Sequence, residues 1–267
     1  MAQASLAVVP DLDPMDGAPI HGADIVHGRH GVSARYRGLT LTSHFQPIFS
    51  LSHCRAIGHE GLLRATDTDM NPVAPGRVIS NATRYDDLRY LDQLCRYLHV
   101  NNHAAQDTHG GWLFLNIHPE VFRRGPDQDL SDFLPELCEQ PDIDARRIVI
   151  EVMEQEVSDQ IGFTRTVEYL RGLGCMIALD DFGAGHSNFD RIWSLQPEIV
   201  KLDRSFAISA VEDPSARRLL PQIVSLIHEA GSLVLLEGVE TEAQALAALD
   251  SDIDFVQGFY FAVPQAT

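Results

Sequence analysis

The sequence predicts an α/β protein built as a (β/α) barrel, and three observations carry that expectation. From Leu39 onward, short aliphatic or β-branched runs alternate with longer segments of helical period, the sequence form of repeated βα units. Seven or eight such runs fall within roughly 230 residues, which suits one barrel better than two domains. The doubly wound open sheet is the alternative, but it normally carries a Gly-rich nucleotide loop after its first strand, and no such loop follows here.

In chain order, residues 1–37 read as a flexible N-terminal arm. Pro10, Pro14, Gly17, Pro19, Gly22, Gly28 and Gly31 punctuate them, and no period lasts long enough to bury a face. His21, His27 and His30 in this tract read as solvated. The barrel is expected over 38–267. Its strands are expected near 40–49, 56–63, 112–117, 147–153, 175–180, 199–203, 232–237 and 255–261. Helices fill the gaps. The spacing of Leu88, Leu91, Leu94, Leu98 and Val100 predicts one over 86–104, and similar periods mark 158–172, 213–230 and 241–249.

Composition narrows the function classes. The 267 residues hold 38 Asp and Glu against 20 Lys and Arg, a formal charge of −18, with 45% hydrophobic residues. A chain of this size and apolar content buries a core, which excludes disorder as its main state. The acidic balance opposes binding to nucleic-acid polymers, where Lys and Arg supply most of the affinity. No apolar run approaches the roughly 18 residues of a membrane span. Asp11, Asp13 and Asp16 stand where a secretory leader would be basic and then apolar, so the expected location is the cytoplasm. Cys54, Cys95, Cys138 and Cys175 are too dispersed for zinc spacing and read as buried free thiols.

The informative residues close the predicted strands, where barrel enzymes place their sites. Glu60 lies in the second run and Asn116 closes WLFLNI. Glu151 and Glu154 close RIVIEVME, and Asp180 and Asp181 close MIALDD. Lys201 and Asp203 close IVKLD, Glu237 closes LVLLE, and Gln257 interrupts FVQGF. A carboxylate at the end of a buried strand is unfavourable unless it is paired or bound to metal, and one lysine cannot satisfy five. Helix N-capping accounts for one or two of these residues but not for six units at once. Carboxylates and an amide, without Cys or His, suit hard cations such as Mg²⁺, Mn²⁺ or Ca²⁺. The neighbours Asp180 and Asp181 suggest a two-metal centre that activates water for in-line attack on phosphorus. After them runs the loop FGAGHSN, which reads equally as an ordinary βα turn and as a functional loop; His186 within it stands open as a general base or a surface residue.

These residues, taken in order, resemble the EAL-type cyclic di-GMP phosphodiesterases. The likeness covers about 39–264 and rests on Gln46-Pro47-Ile48, then Glu60-Gly61-Leu62-Leu63-Arg64 in place of EALLR, Asn116, and Glu151 and Glu154 as ExxE. It continues through Asp180-Asp181-Phe182-Gly183, Lys201-Leu202-Asp203, Glu237-Gly238-Val239-Glu240-Thr241 and Gln257-Gly258-Phe259. The resemblance implies a modified TIM (β/α)8 barrel whose first strand runs antiparallel to the others. It implies hydrolysis of cyclic di-GMP to linear pGpG by water activated between two divalent cations, Mg²⁺ or Mn²⁺, with Ca²⁺ inhibitory. The implied metal ligands are Glu60, Asn116, Glu151 and Asp180 for one cation and Asp180, Asp181 and Glu237 for the other. The implied catalytic set is Glu60, Lys201, Asp203, Glu237 and Gln257; Gln46, Leu62 and Arg64 would bind substrate, and Glu154 would anchor the loop after the Asp pair. A homodimer and a regulatory protein partner are also implied.

The signature alanine is replaced by Gly61, which adds backbone freedom beside a ligand position. A catalytically silent module that binds the dinucleotide or a protein is the competing reading. Silent members of the family usually lose metal ligands or the lysine, and every such position is retained here.

Overall fold

The computed structural model describes residues 24–28, 31–106, 111–119, 144–153, 160–185 and 189–266. The strands are β1 (Asp24–Gly28), β2 (Gly31–Tyr36), β3 (Leu39–Ser50), β4 (Arg55–Thr66), β5 (Pro72–Val73), β6 (Trp112–Asn116), β7 (Ile148–Met153), β8 (Met176–Phe182), β9 (Ile199–Leu202), β10 (Leu233–Leu236), β11 (Phe255–Val256) and β12 (Gln265–Ala266). The helices are α1 (Pro75–Ser80), α2 (Tyr85–Ala104), α3 (Gln160–Gly172), α4 (Phe189–Leu195), α5 (Arg204–Glu212), α6 (Pro214–Glu229) and α7 (Glu242–Asp250).

Eight strands close into a barrel in the order β3-β11-β10-β9-β8-β7-β6-β4, with β4 pairing back onto β3. The first barrel strand, β3, is antiparallel to both β4 and β11. Every other neighbouring pair is parallel. The modified barrel expected from the sequence is thus the fold observed.

Strand alternation sorts the core into layers. Ile48, Phe114, Val149, Ala178, Ile199, Leu235 and Phe255 form one cluster within the barrel. The alternate residues, such as Leu115, Ile150, Ile177, Val200 and Val234, join a second cluster with Phe163, Val167, Leu170, Leu220, Val224 and Ile227 of the surrounding helices. A third cluster joins the N-terminal hairpin to α1 and α2 through Ile25, Ala34, Tyr36, Leu41, Val78, Leu91, Leu94 and Leu98.

The expected arm is corrected by that third cluster. β1 and β2 pair as an antiparallel hairpin, and β2 adds to β3 through Ala34↔Leu41 and Tyr36↔Leu39. Position 37 is therefore a turn inside a sheet rather than a domain boundary. Few side chains of these strands are buried, so their alternation is faint in sequence; the long free edge of β3 supplies the partner that local pattern does not reveal. Residues 1–23, with His21, lie outside the described residues, as do His30 and Cys138.

Smaller differences have local causes. The strand expected over 255–261 ends at Val256, because Gln257 to Ala262 turn back onto Val239 and Gly258 by backbone hydrogen bonds. The segment after Leu202 begins a helix at once, and Asp213 separates that helix, α5, from α6 by capping the second one at Ser215 N. Cys175 is buried and Cys95 half-buried, its thiol pushed up to about 12 chiefly by burial, whereas Cys54 is exposed. No helix among the described residues is long and apolar enough to cross a membrane.

Candidate functional site

The pleat of the barrel strands explains why the polar strand ends converge. Phe114, Val149, Ala178, Ile199, Leu235 and Phe255 point into the barrel. Two residues further on, with the same orientation, come Asn116, Glu151, Asp180, Lys201, Glu237 and Gln257. In antiparallel β3 the step runs backwards, from Ile48 to Gln46, which lies in register with Glu60 of β4. The polar layer therefore sits one pleat above the apolar layer at the mouth formed by the C-terminal ends of the parallel strands.

Lys201 occupies the centre and is almost completely buried. Its Nζ lies 2.5 Å from Glu151 Oε1, 2.7 Å from Glu237 Oε1, 2.8 Å from Asp180 Oδ1 and 4.0 Å from Glu60 Oε1. Amides hold the last of these carboxylates. Asn116 Nδ2 donates to Glu60 Oε1 at 3.1 Å and Gln257 Nε2 donates to Glu60 Oε2 at 2.7 Å. Gln257 also reaches Gln46 Oε1 at 3.4 Å, and Gln46 Nε2 donates to the Ala262 carbonyl at 3.2 Å.

Asp181 joins the group through a backbone irregularity. In a regular strand, neighbours point to opposite faces. Here Asp181 has φ +57°, and the register against β9 shifts between Leu179 and Phe182. Carboxylate oxygens of Asp180, Asp181 and Glu237 consequently lie within 4.8 Å of one another. Aspartate tolerates this left-handed conformation better than most residues. Gly183 follows with φ +101°, and a Cβ there would fall 2.0 Å from the Phe206 ring, so the turn out of β8 requires glycine.

The electrostatics are those of excess negative charge. Burial pushes the Glu151 carboxyl well above its ordinary range despite the neighbouring ammonium, and Glu60 and Asp180 push it further. Burial and then Asp180 and Glu60 raise Glu237 to about 7 against the pull of Lys201. Asp181 is raised by burial, then by Asp180. Burial alone would depress Lys201, but Asp180, Glu151, Glu237 and Glu60 together hold it well above its ordinary value, so it carries its charge at neutral pH.

Divalent cations fit this donor set. Five carboxylates face one ammonium, and the buried Oε2 of Glu151 has no hydrogen-bond partner. Asp180, Asp181 and Glu237 offer closely grouped hard oxygens of the kind that Mg²⁺ or Mn²⁺ takes.

Other expected residues fall around this centre. Asp203 caps α5 by accepting from Ser205 N at 2.9 Å, and its charge adds to the raising of Asp181. Leu62 and Arg64 follow Glu60 on the same face of β4, and Arg64 Nη1 donates to the Leu63 carbonyl at 2.9 Å. Glu154 and His186 lie outside the described residues. Sequence reading missed a polar chain behind β4: Asn102 exchanges hydrogen bonds with the Val32 backbone and donates to Ser43 Oγ, and Ser43 bonds His99 Nδ1. The signal was there in α2, whose apolar stripe through Leu91, Leu94 and Leu98 continues into polar His99 and Asn102.

Comparison with known proteins agrees with this geometry. The EAL domain family matches residues 33–264, so the chain belongs to that family. "Cyclic di-GMP phosphodiesterase RocR" of Pseudomonas aeruginosa is 26% identical over 226 residues, 83% of this chain and 57% of that protein. "Cyclic di-GMP phosphodiesterase PdeF" of Escherichia coli K12 is 30% identical over 214 residues, 78% of this chain and 28% of that protein. A solved structure of a standalone EAL protein from Vibrio cholerae O395, in its c-di-GMP-bound form, superposes with a TM-score of 0.74 at 26% identity, covering 84% of this chain and 92% of that one. The chain spans 28–57% of the length of the first curated relatives it matches.

Proposed function

We propose that this chain is a cation-dependent phosphodiesterase that hydrolyses cyclic di-GMP to linear pGpG. The observation that carries the reading is the gathering of Glu60, Asn116, Glu151, Asp180, Asp181 and Glu237 around Lys201 at the barrel mouth. The cyclic di-GMP phosphodiesterases named above, which share the fold and the family, support the choice of substrate.

Glu60, Asn116, Glu151 and Asp180 would hold one cation, and Asp180, Asp181 and Glu237 the second. Bound there, two divalent cations supply charge neutralisation at the phosphodiester and activation of the attacking water. Lys201, rigidly buried and charged, orients the attacking water as a fixed donor and offsets the charge that builds on phosphoryl oxygen. Gln257 and Asn116 aim the Glu60 carboxylate by donating to its two oxygens. Asp203 orders the water network beside Asp181 while capping α5. Gln46, Leu62 and Arg64 line the approach, where Arg64 meets a phosphate and Gln46 and Leu62 the guanine side.

The test is incubation of the purified protein with cyclic di-GMP and Mg²⁺ or Mn²⁺, with and without chelator, followed by chromatography of the nucleotides. Chelator-sensitive formation of pGpG is the expected result. Tight binding without product would replace the hydrolase with a sensing module, and neither binding nor product would leave the likeness to fold alone.

A further inference from the structure

Gly61 follows Glu60 in β4 and turns its face toward α2. A Cβ built there would lie 2.9 Å from His99 Cγ, 3.0 Å from its Cβ and 3.2 Å from its Cδ2. These distances leave no room for a side chain. The His99 ring cannot swing aside as a long flexible chain would, because two of the three contacts are to the atoms nearest its backbone. The ring is also anchored: His99 Nδ1 bonds Ser43 Oγ at 2.9 Å, and the same oxygen accepts from Asn102 Nδ2 at 3.1 Å. Asn102 is in turn fixed by two hydrogen bonds to the Val32 backbone, of 2.6 and 2.7 Å. Phe45 and the imidazole pack edge to face at a centroid separation of 6.3 Å. The chain Val32–Asn102–Ser43–His99–Gly61 therefore ties β2, β3, α2 and β4 together directly behind Glu60.

We propose that His99 is a positioning residue for Glu60: its imidazole fills the space a side chain at position 61 would need, so that Gly61 and His99 form one packing unit setting the distance between α2 and the strand that carries the carboxylate. The proposal rests on the reading of Glu60 as a cation ligand. A methyl group at 61 would push β4 away from α2 by a few tenths of an ångström. A shift away from α2 carries the strand toward the barrel axis, where Asn116 and Gln257 grip the carboxylate. Substitution of groups that support metal ligands typically costs about 10–100-fold in metal affinity or activity. Glycine at 61 is thus the packing partner of histidine at 99.

The experiment measures Mn²⁺ affinity, from the free Mn²⁺ signal in electron paramagnetic resonance, beside thermal melting and turnover of cyclic di-GMP. The variants are Gly61→Ala, His99→Ala, the double variant, and His99→Asn, whose amide sits where Nδ1 does. Leu98→Ala, one position earlier in α2 and buried in the hairpin cluster, serves as control. Gly61→Ala and His99→Ala are each expected to weaken Mn²⁺ about tenfold and to lower kcat with little change in KM. The double variant should lose about tenfold rather than the product of the two, since removing the imidazole relieves the contacts of a methyl group at position 61 with Cγ and Cδ2 and leaves only that with Cβ. His99→Asn should stay near wild type, and Leu98→Ala should melt lower with Mn²⁺ affinity intact. Multiplying effects in the double variant, or a control that weakens Mn²⁺ as much as Gly61→Ala, would overturn the proposal. Wild-type protein that binds Mn²⁺ without hydrolysing the dinucleotide would sink the phosphodiesterase reading alone, leaving the pair to be judged on Mn²⁺ affinity. Wild-type protein that binds no Mn²⁺ would overturn both.

Discussion

Two layers of the barrel interior share the same strands and the same orientation, one pleat apart. The deeper layer is apolar: Ile48, Phe114, Val149, Ala178, Ile199, Leu235 and Phe255. The upper layer sets Gln46, Glu60, Asn116, Glu151, Asp180, Glu237 and Gln257 around one lysine. The deeper layer stabilises the fold by removing apolar surface from water and filling space. The upper layer does the reverse, holding three carboxyls above their ordinary pKa through burial and mutual repulsion. A shift of about 7 Å along a strand separates residues that fill space from residues that gather excess negative charge around one lysine.

That contrast can be broken most sharply at Asp180. Asp180→Asn keeps the shape but removes a carboxylate shared by both proposed cation sites, so turnover should fall on the order of 10³-fold or more. Its melting temperature in chelator should stay level or rise, because the repulsion of Asp180 on Glu151, Asp181 and Glu237 is relieved while Lys201 keeps Glu151 and Glu237 as close partners; a variant that melts lower and still turns over would invert the assignment of the two layers. Phe114→Ala, one pleat below the mouth, should destabilise by about 3–5 kcal/mol, read as a lower denaturant midpoint, with Mn²⁺ affinity kept by the folded fraction. If Phe114→Ala abolished Mn²⁺ binding in protein still folded, the layers would not be separable.

The pH response separates the site from its buttress. His99 is held down to about 3 by burial and then by the charge of Arg64, and His103 to about 4 by burial and then by His59, against an unfolded value near 6.5. Below pH ~6.5 the unfolded chain binds protons that the folded chain refuses. Stability is therefore whole above that pH and falls as pH drops toward 4 and then 3, by up to about 1.4 kcal/mol per pH unit for each histidine. The carboxyls of the mouth, with Glu237 raised to about 7, titrate in the same window with the opposite sign, so the histidine contribution is read as a difference: in melting scans from pH 7.5 to 4.5, His99→Asn should lose less stability per pH unit than wild type, and an identical slope would mean that His99 is not buried neutral. The smallest effect sharpens the comparison further. Asp203 and Asp213 both cap helices through a serine N–H two residues on, so either Asp→Ala change should destabilise by about 1 kcal/mol. Only Asp203→Ala, at the barrel mouth, should also lower turnover.

Much of this was legible in sequence because a period of two projects onto a barrel wall without ambiguity. Once WLFLN and RIVIE are strands, Asn116 and Glu151 must share the face of Phe114 and Val149, and a closed barrel gives that face one destination. The hairpin Asp24–Tyr36 was not legible, since its short strands bury few side chains and depend on the edge of β3. Nor was the meaning of Gly61. Read alone, a glycine in place of alanine is a gain in backbone freedom; its true constraint is the His99 ring, 38 positions away in the chain and in contact only once α2 packs on β4.

The sequence by itself determined the barrel and the polar layer at the strand ends, because both depend on local periodicity and on residue type; the antiparallel first strand came only as an implication of the family likeness. The tertiary structure decided the rest. It placed Lys201 at 2.5–2.8 Å from three carboxylates and turned Asp181 into line with Asp180 by a left-handed kink. It also set His99 against Gly61. Each of these is a distance between elements remote in the chain, fixed by barrel closure and helix packing rather than by any pattern that neighbouring residues carry.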